Sequence, residues 1–460
     1  MEKIKKTEKL EKNTAVLLIR KKQFLALKII LAEMNPADIA ALMGEMYDEE
    51  NVDERELTVL YRILPKELAA EAFAYMDSEA QLILINAFSD KELRYVVDEL
   101  FLDDTVDIIE EMPANIVSKI LRNTDAEKRK QINELLSYPE DSAGSVMTTE
   151  FVYLHMDYTV ERSFDRIRKI GLTKETVYTC YVTENRRLVG IVSLLDMIVS
   201  EPGTKIEDIM ETNVVSVYTS DDKENAANTL SKYDLAAIPV LDREDRIVGI
   251  ITFDDAIDVL KEEATEDIEK MAGISPTEKP YFQTSVFQLF KARSSWLLVL
   301  MVTAIFTGLI IGSFESQLLV VPALMMFVPM LMDTGGNSGS QSSAMIIRGI
   351  SLGDIKFSDF SRVVWKEVRV GLACGFFLAS VIFAKVIFFD RLGVNIAAVV
   401  SLTVLIVVVI AKFVGGALPL IAKKIGVDPA VMASPLITSI VDTLALLIYF
   451  FIAINMLEIL

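Results

Sequence analysis

The chain has 460 residues, of which 52% are apolar and 24% charged, with 46 Lys+Arg against 66 Asp+Glu and a mean hydropathy of +0.38. A positive mean hydropathy beside a formal charge of -20 fits neither a uniformly soluble enzyme nor an acidic disordered chain, and means that two kinds of sequence are joined. The junction falls near Pro280, because residues 281–460 carry 12 Lys+Arg and 9 Asp+Glu whereas the first 280 carry 34 and 57, a net of -23. The front is an acidic soluble region and the back a membrane candidate.

Cys180 and Cys374 lie too far apart for a disulfide framework or a thiolate metal site. One histidine, His155, cannot form the imidazole clusters that transition metals favour. Lys and Glu alternate as far as Lys12, and the apolar run 15–19 is too short for a signal peptide. A cytosolic start to the chain is therefore expected.

From Asn35 to about Ser137 a theme recurs: a polar or proline start, then an amphipathic stretch of about a dozen residues. The starts are Pro36, Pro65, Asp77, Ser89, Asp103, Pro113 and Asp125, and from Pro65 onward they are spaced by 12, 12, 14, 10 and 12 residues. That spacing predicts three-turn helices with caps at their N-termini. Each is too short to stand alone, so either a stacked superhelix or an ordinary bundle is expected.

A second repeat spans roughly 140–260. "VGIVSLLDMI" at 189–198 recurs as "VGIITFDDAI" at 248–257, and "SVMTTEFVYL" at 145–154 recurs as "DIMETNVVSV" at 208–217. Each unit reads as a Met-containing turn, a short strand, a helix, a β-branched strand, a charged turn and a Gly-containing strand. This resembles a pair of CBS domains, which implies a pseudo-symmetric module that senses small ligands. Gly190, Ser193 and Asp196, then Gly249, Thr252 and Asp255, repeat as Gly-x-x-Ser/Thr-x-x-Asp. A hydroxyl and a carboxylate three apart at a helix start suit the ribose and phosphate oxygens of a nucleotide such as ATP. They equally suit plain helix caps, and the two readings weigh about the same.

The segment "DDAIDVLKEEATEDIEKMAGISP" predicts a long helix ended by Gly273 and Pro276. Asp255, Asp258, Glu262 and Glu266 share one face at a cost in repulsion that a hard divalent cation would relieve, although a solvated acidic face is the usual explanation. Five apolar segments follow, at 296–312, 318–347, 370–389, 396–421 and 431–457. Lys291 and Arg293 precede the first, Arg348 to Arg369 fill the second connection, and Lys423 and Lys424 the fourth. The positive-inside rule then places the N-terminal region in the cytosol and the C-terminus outside.

Asp442 lies deep in the fifth segment, where an ionisable group is expensive, and is expected to be functional; a salt bridge to Lys412 is the bland alternative. Asp428 opens the same segment on the cytosolic side, 14 residues earlier, about 21 Å along a helix. Ser434-Pro435 between them is expected to free backbone carbonyls toward a cavity. Thr334 to Gln341, "TGGNSGSQ", is small and polar at membrane depth and is expected to allow close packing and local unwinding. Asp333, just before it, has no evident role.

The order of parts, with "TGGNSGSQ" and "DPAVMASPLITSIVDTLALLIYF", resembles the MgtE family of magnesium channels and transporters over nearly the whole chain. The resemblance implies a multi-domain fold: an all-α superhelical N-domain (1–135), an α/β tandem CBS pair (136–258), a connecting plug helix (259–292) and a five-helix transmembrane pore domain (293–460). It implies an integral protein of the cell (inner) membrane, a homodimer, with Mg²⁺ as both substrate and regulatory ligand and no nucleic-acid partner. Asp442 then corresponds to the main pore carboxylate, holding hydrated Mg²⁺ through water, and Asp428 to a ligand near the cytosolic exit. Intracellular Mg²⁺ would close the pore by binding a set carried over as Glu71, Asp103, Asp107, Glu224, Asp234, Asp255, Asp258, Glu263, Glu266 and Asp267. Ser434 stands where many relatives carry Asn, a departure that bears on selectivity. Competing readings are a CBS-regulated transporter of Co²⁺, Mn²⁺ or Ca²⁺ and a non-conducting membrane sensor of Mg²⁺ or nucleotide. An enzyme is the weakest reading, for want of a phosphate-binding loop, a histidine base or a placed cysteine nucleophile.

Overall fold

In a computed structural model, which describes residues 12–47, 53–277, 281, 284–432 and 434–457, the chain divides between Leu260 and Lys261 into two compact units. The Lys/Glu-rich start at 1–11 lies outside the described residues.

The first unit opens with short helices whose boundaries follow from their caps. Asp77 accepts from the Ala80 amide at 2.7 Å, Ser89 forms a capping box with Glu92, and Asp125 accepts from the Glu127 and Lys128 amides. Pro65 and Pro113 stand just before their helices, where their fixed φ suits the entry and no amide is needed. The expected start at Asp103 moves back two residues, to Phe101 before the helix Leu102–Glu111, because a buried Leu102 begins the apolar face there. Helix Glu54–Ile63, capped by an Asp53/Glu56 box, falls between two of the expected starts.

Alternate helices stack on one another: Pro36–Tyr47 on Lys66–Ala74, that on Asp90–Glu99, and that on Ala114–Asn123. A superhelix results, since each three-turn helix buries its apolar stripe only against its neighbours. Two lysines lock the stack. The Lys119 ammonium donates to the Ile85 and Phe88 carbonyls, and Lys128 to those of Val97 and Leu100, satisfying helix C-termini that have no partner within their own helix.

The two CBS-like repeats each form a three-stranded sheet. In the first, β1 (Phe151–His155) runs parallel to β2 (Thr176–Glu184) across the helix Val160–Ile170, and β2 turns back antiparallel into β3 (Arg187–Ser193). The second repeats this with β4 (Val217–Tyr218), the helix Lys223–Lys232, β5 (Ala237–Leu241) and β6 (Ile247–Thr252). The repeated Met and Gly explain each other once the fold is seen. Thr148 exchanges both backbone hydrogen bonds with Ile250, and Glu211 with Ile191, so each Met-containing turn pairs with the other repeat's Gly-containing strand. A Cβ on Gly249 would sit 2.6 Å from the Met147 sulfur, and one on Gly190 2.9 Å from that of Met210. Only glycine lets the methionine lie there.

Helix Phe253–Met271 leaves the second sheet and ends in a Schellman motif. Gly273 has φ +71°, its amide bonds to the Lys270 carbonyl, and the Ile274 amide bonds to the Glu269 carbonyl.

The second unit holds long helices Val286–Ser313, Val328–Ser351, Phe360–Lys385, Val394–Lys424 and Ser434–Leu457, hereafter the first to fifth. Among the described residues four are long and apolar enough to cross a membrane; the second, broken up by its polar string, is not. It also begins ten residues later than the apolar run suggested, because Pro322 interrupts the backbone and residues 322–327 form a 3₁₀ turn. The expected unwinding at "TGGNSGSQ" is absent: the second helix runs through it unbroken. Its glycines serve contact instead, since a Cβ on Gly415 of the fourth helix would lie 2.2 Å from the Gly339 carbonyl oxygen and one on Gly336 2.8 Å from Thr438. Leu331, Val400, Tyr449 and Phe450 fill the core at one end, where the Tyr449 hydroxyl bonds to the Leu324 carbonyl at 2.9 Å.

Candidate functional site

Asp442 lies in the fifth helix with its Oδ1 closed to solvent and, among the described residues, lacking a hydrogen-bond partner. Lys412 does not pair with it. That lysine is 5% exposed on the fourth helix and donates at 3.4 Å to the Ser338 carbonyl and the Ser342 hydroxyl, while Ser342 donates to Glu367. Thr438, Ser439 and Thr443 each donate their hydroxyl proton to the carbonyl four residues earlier, which leaves oxygen lone pairs as what the helix face presents. Thr303 of the first helix donates to the Ser439 hydroxyl at 3.0 Å. The Ser434 and Ser340 hydroxyls bond at 2.8 Å, tying the fifth helix to the second.

Asp428 and Asp442 are not on one continuous helix, because Pro429–Met432 is a 3₁₀ turn and the fifth helix starts at Ser434. Pro435 stands at that start, where it costs no intrahelical bond, so the expected free carbonyls are not produced there. Asp428 accepts from the Ala430 amide at 2.8 Å and from the Lys270 ammonium at 2.7 Å. Lys270 also meets Glu266 at 2.6 Å. Burial works against this ammonium, but the bonds to Asp428 and Glu266 outweigh it and hold its pKa above the usual lysine value. Asp267 accepts from Ser351 at 2.9 Å, and burial raises its pKa.

In the first unit the fold gathers carboxylates that are distant in sequence. Burial, then the charges of Asp255 and Glu175, push Asp103 up to about 9. Burial followed by Asp255 raises Asp104 to about 6 despite Lys128, and the same two causes raise Glu175 to about 7. Asp255 is itself raised by burial, against a bond from Thr252. Glu150 belongs to the group, accepting from the Leu102 amide at 3.0 Å. Of these only Asp103 and Asp255 were singled out in the sequence. The signal for Asp104 and Asp254 was the doubled Asp at two helix starts; Glu150 and Glu175 carry none, since they arrive from loops. Among the described residues no three such side chains converge closely enough to chelate one ion. The cluster suits a cation held through water, as Mg²⁺ prefers, rather than a preformed cage.

Elsewhere, Glu71, Asp107 and Asp234 are exposed, Glu224 is half-buried, and Asp234 sits at a turn with φ +52°. Asp258 and Glu263 lie on the helix Phe253–Met271. Ser193 and Thr252 both act within their own repeats: Ser193 caps the Asp196 amide at 3.0 Å, and the hydroxyls of Ser193 and Thr252 bond to the Asp196 and Asp255 carboxylates. Ser193 therefore caps its helix, and in both pairs the hydroxyl is held by the carboxylate three residues on.

An apolar helical unit joined to an acidic module of stacked helices and paired α/β repeats defines an integral membrane protein with a regulatory domain. Family models agree in that order: the MgtE intracellular N domain matches residues 34–141, CBS domains match 143–201 and 206–262, and the MgtE divalent cation transporter domain matches 328–452. The chain is 36% identical over 438 residues to the magnesium transporter MgtE of Thermus thermophilus, covering 94% of this chain and 95% of that one. It is 31% identical over 439 residues to that of Bacillus subtilis, covering 95% of each. The crystal structure of the soluble part of a magnesium transporter aligns with a TM-score of 0.50 at 28% identity, over 55% of this chain and 98% of that one. The chain belongs to the MgtE family.

Proposed function

We propose that this protein carries Mg²⁺ across the cell membrane along a path centred on Asp442, and that Mg²⁺ on the soluble side closes it. The observation that carries the proposal is the Asp442 carboxylate itself: one oxygen has neither solvent nor a donor, a state that an ionised group in an apolar helix sustains only beside a cation or its water. The hydroxyl oxygens of the same helix, their protons already committed, suit the hydration shell of an ion that sheds water reluctantly. Two magnesium transporters similar over nearly their whole length support Mg²⁺ over Co²⁺, Mn²⁺ or Ca²⁺.

In this reading the second helix also crosses the membrane, making five spans, its polar string faces the path, and two copies of the chain enclose it. The N-terminal unit lies in the cytosol and the C-terminus outside, as the basic connections favour. The regulatory site is the cluster of Asp103, Asp104, Glu150, Glu175, Asp254 and Asp255, with Glu71, Asp107, Glu224, Asp234, Asp258, Glu263, Glu266 and Asp267 as further carboxylates that metal would screen. Crowded carboxylates repel when metal is scarce and compact when it is abundant, which is negative feedback by charge alone. ATP at Ser193, Asp196, Thr252 and Asp255 is a subordinate proposal, which a titration without saturable binding at millimolar nucleotide would remove.

The test is Mg²⁺ flux into proteoliposomes with Mg²⁺ varied on the side of the soluble unit. Flux lost in Asp442→Ala and falling in wild type as that Mg²⁺ rises is the expected result. Absence of flux from folded wild type at every Mg²⁺ concentration would favour a non-conducting sensor.

A further inference from the structure

Asp333 and Asn337 are exposed on the second helix, one turn apart, and the Asn337 amide donates to the Asp333 carboxylate at 3.0 Å. Ser340 continues the same face and reaches Ser434 of the fifth helix at 2.8 Å. The two helices run antiparallel with a register set by close contacts: a Cβ on Gly336 would meet Thr438 at 2.8 Å and one on Gly335 would meet Val441 at 2.8 Å. Continuing that register by half a turn brings Asp333 level with Asp442.

A carboxylate and an amide exposed to hydrocarbon are too costly to persist, so this face borders water or other polar groups. Among the described residues Asn337 supplies the one donor on Asp333, and Asp442 keeps an oxygen without any. Two carboxylates at one level, short of donors and beside hydroxyl oxygens, have chemistry complementary to a hydrated divalent cation.

We propose that Asp333 is a specificity-determining residue of the ion path, a second carboxylate that receives the hydrated divalent cation from the outer side and shares it with Asp442, while Asn337 holds it in position. Asp333 lies five residues from the start of its helix, on the outer side in the topology proposed above. The inference rests on the pore reading, and Asp442 variants separate the two.

The experiment is Mg²⁺ uptake by full-length protein in liposomes against external Mg²⁺, with and without hexaamminecobalt(III), an inert mimic of a hydrated divalent ion. Asp333→Asn is expected to raise half-saturating Mg²⁺ about tenfold and to weaken hexaamminecobalt block by a similar factor, with the larger effect on half-saturation rather than maximal flux. Asp333→Glu, which keeps the charge, is expected to restore much of both. Unchanged concentration dependence and block in Asp333→Asn, while Asp442→Asn is inactive, overturns the inference and leaves the path intact. Full flux in Asp442→Asn overturns the path itself. Should Asp333→Asn carry no measurable flux, Asp333→Glu decides: flux restored with the charge supports the assignment, and loss in both variants refutes it.

Discussion

Asp104→Asn removes one buried charge from the carboxylate cluster of the soluble unit. Burial, then Asp255, moves this carboxyl from an ordinary 3.8 to about 6, with Lys128 opposing and Asp254 adding to it. Because the folded pKa is the higher one, the folded state holds the proton more tightly, and ionisation is a penalty. The penalty is full above pH 6, shrinks as pH falls from 6 toward 3.8, and is absent below that. A shift of this size corresponds to roughly 3 kcal/mol, so removing the charge should slow local opening of helix Leu102–Glu111 by about 100-fold in metal-free buffer at pH 8. Amide hydrogen exchange on the full-length protein in detergent reads this directly. The gain should shrink to about sixfold at pH 4.5 and vanish below about 3.8, and millimolar Mg²⁺ should protect wild type more than the variant. Equal or faster exchange in Asp104→Asn at pH 8 would refute the electrostatic account, and Mg²⁺ protecting both proteins equally would detach the cluster from metal sensing.

Two further outcomes follow from the second unit. Lys270→Met leaves Asp428 and Glu266 without their shared ammonium, so exchange across 266–272 should rise about tenfold without metal, as expected for loss of a charge-assisted hydrogen bond. Millimolar Mg²⁺ should restore the protection if a divalent ion can stand in for the ammonium, and an indifferent response to Mg²⁺ would count against that. Gly415→Ala places a methyl 2.2 Å from the Gly339 carbonyl oxygen and should destabilise the unit by about 1–3 kcal/mol, seen as a lower thermal midpoint in detergent. Gly308→Ala, where the added carbon meets nothing within 4 Å, is the control and should be neutral or better.

Much of this was legible in local chemistry. The caps at Asp77, Ser89 and Asp125 announce their helices because a helix start has donors that only certain side chains can satisfy. Helix Glu54–Ile63 escaped notice although its Asp53/Glu56 box is of the same kind, since a charged stretch masks its apolar face. The Met and Gly of the paired repeats were visible as a pattern, but their reason was not: Met147 packs under a glycine about a hundred residues away. "TGGNSGSQ" was recognised as unusual, yet small residues permit unwinding and close packing alike, and the contact with the fourth and fifth helices selects packing.

The sequence by itself determined what depends on neighbours along the chain: helix and strand periodicity, the duplicated unit, the apolar segments and a lone carboxylate at Asp442 that no apolar helix would carry idly. It also carried the family, through the order of its parts. Only the tertiary structure decided which charges meet. Asp428 finds Lys270, Lys412 turns to Ser338 and Ser342 rather than Asp442, and Glu150 and Glu175 join Asp103 and Asp255. Electrostatic energy depends on distance through space and on burial, and neither is written in the spacing of residues along a chain.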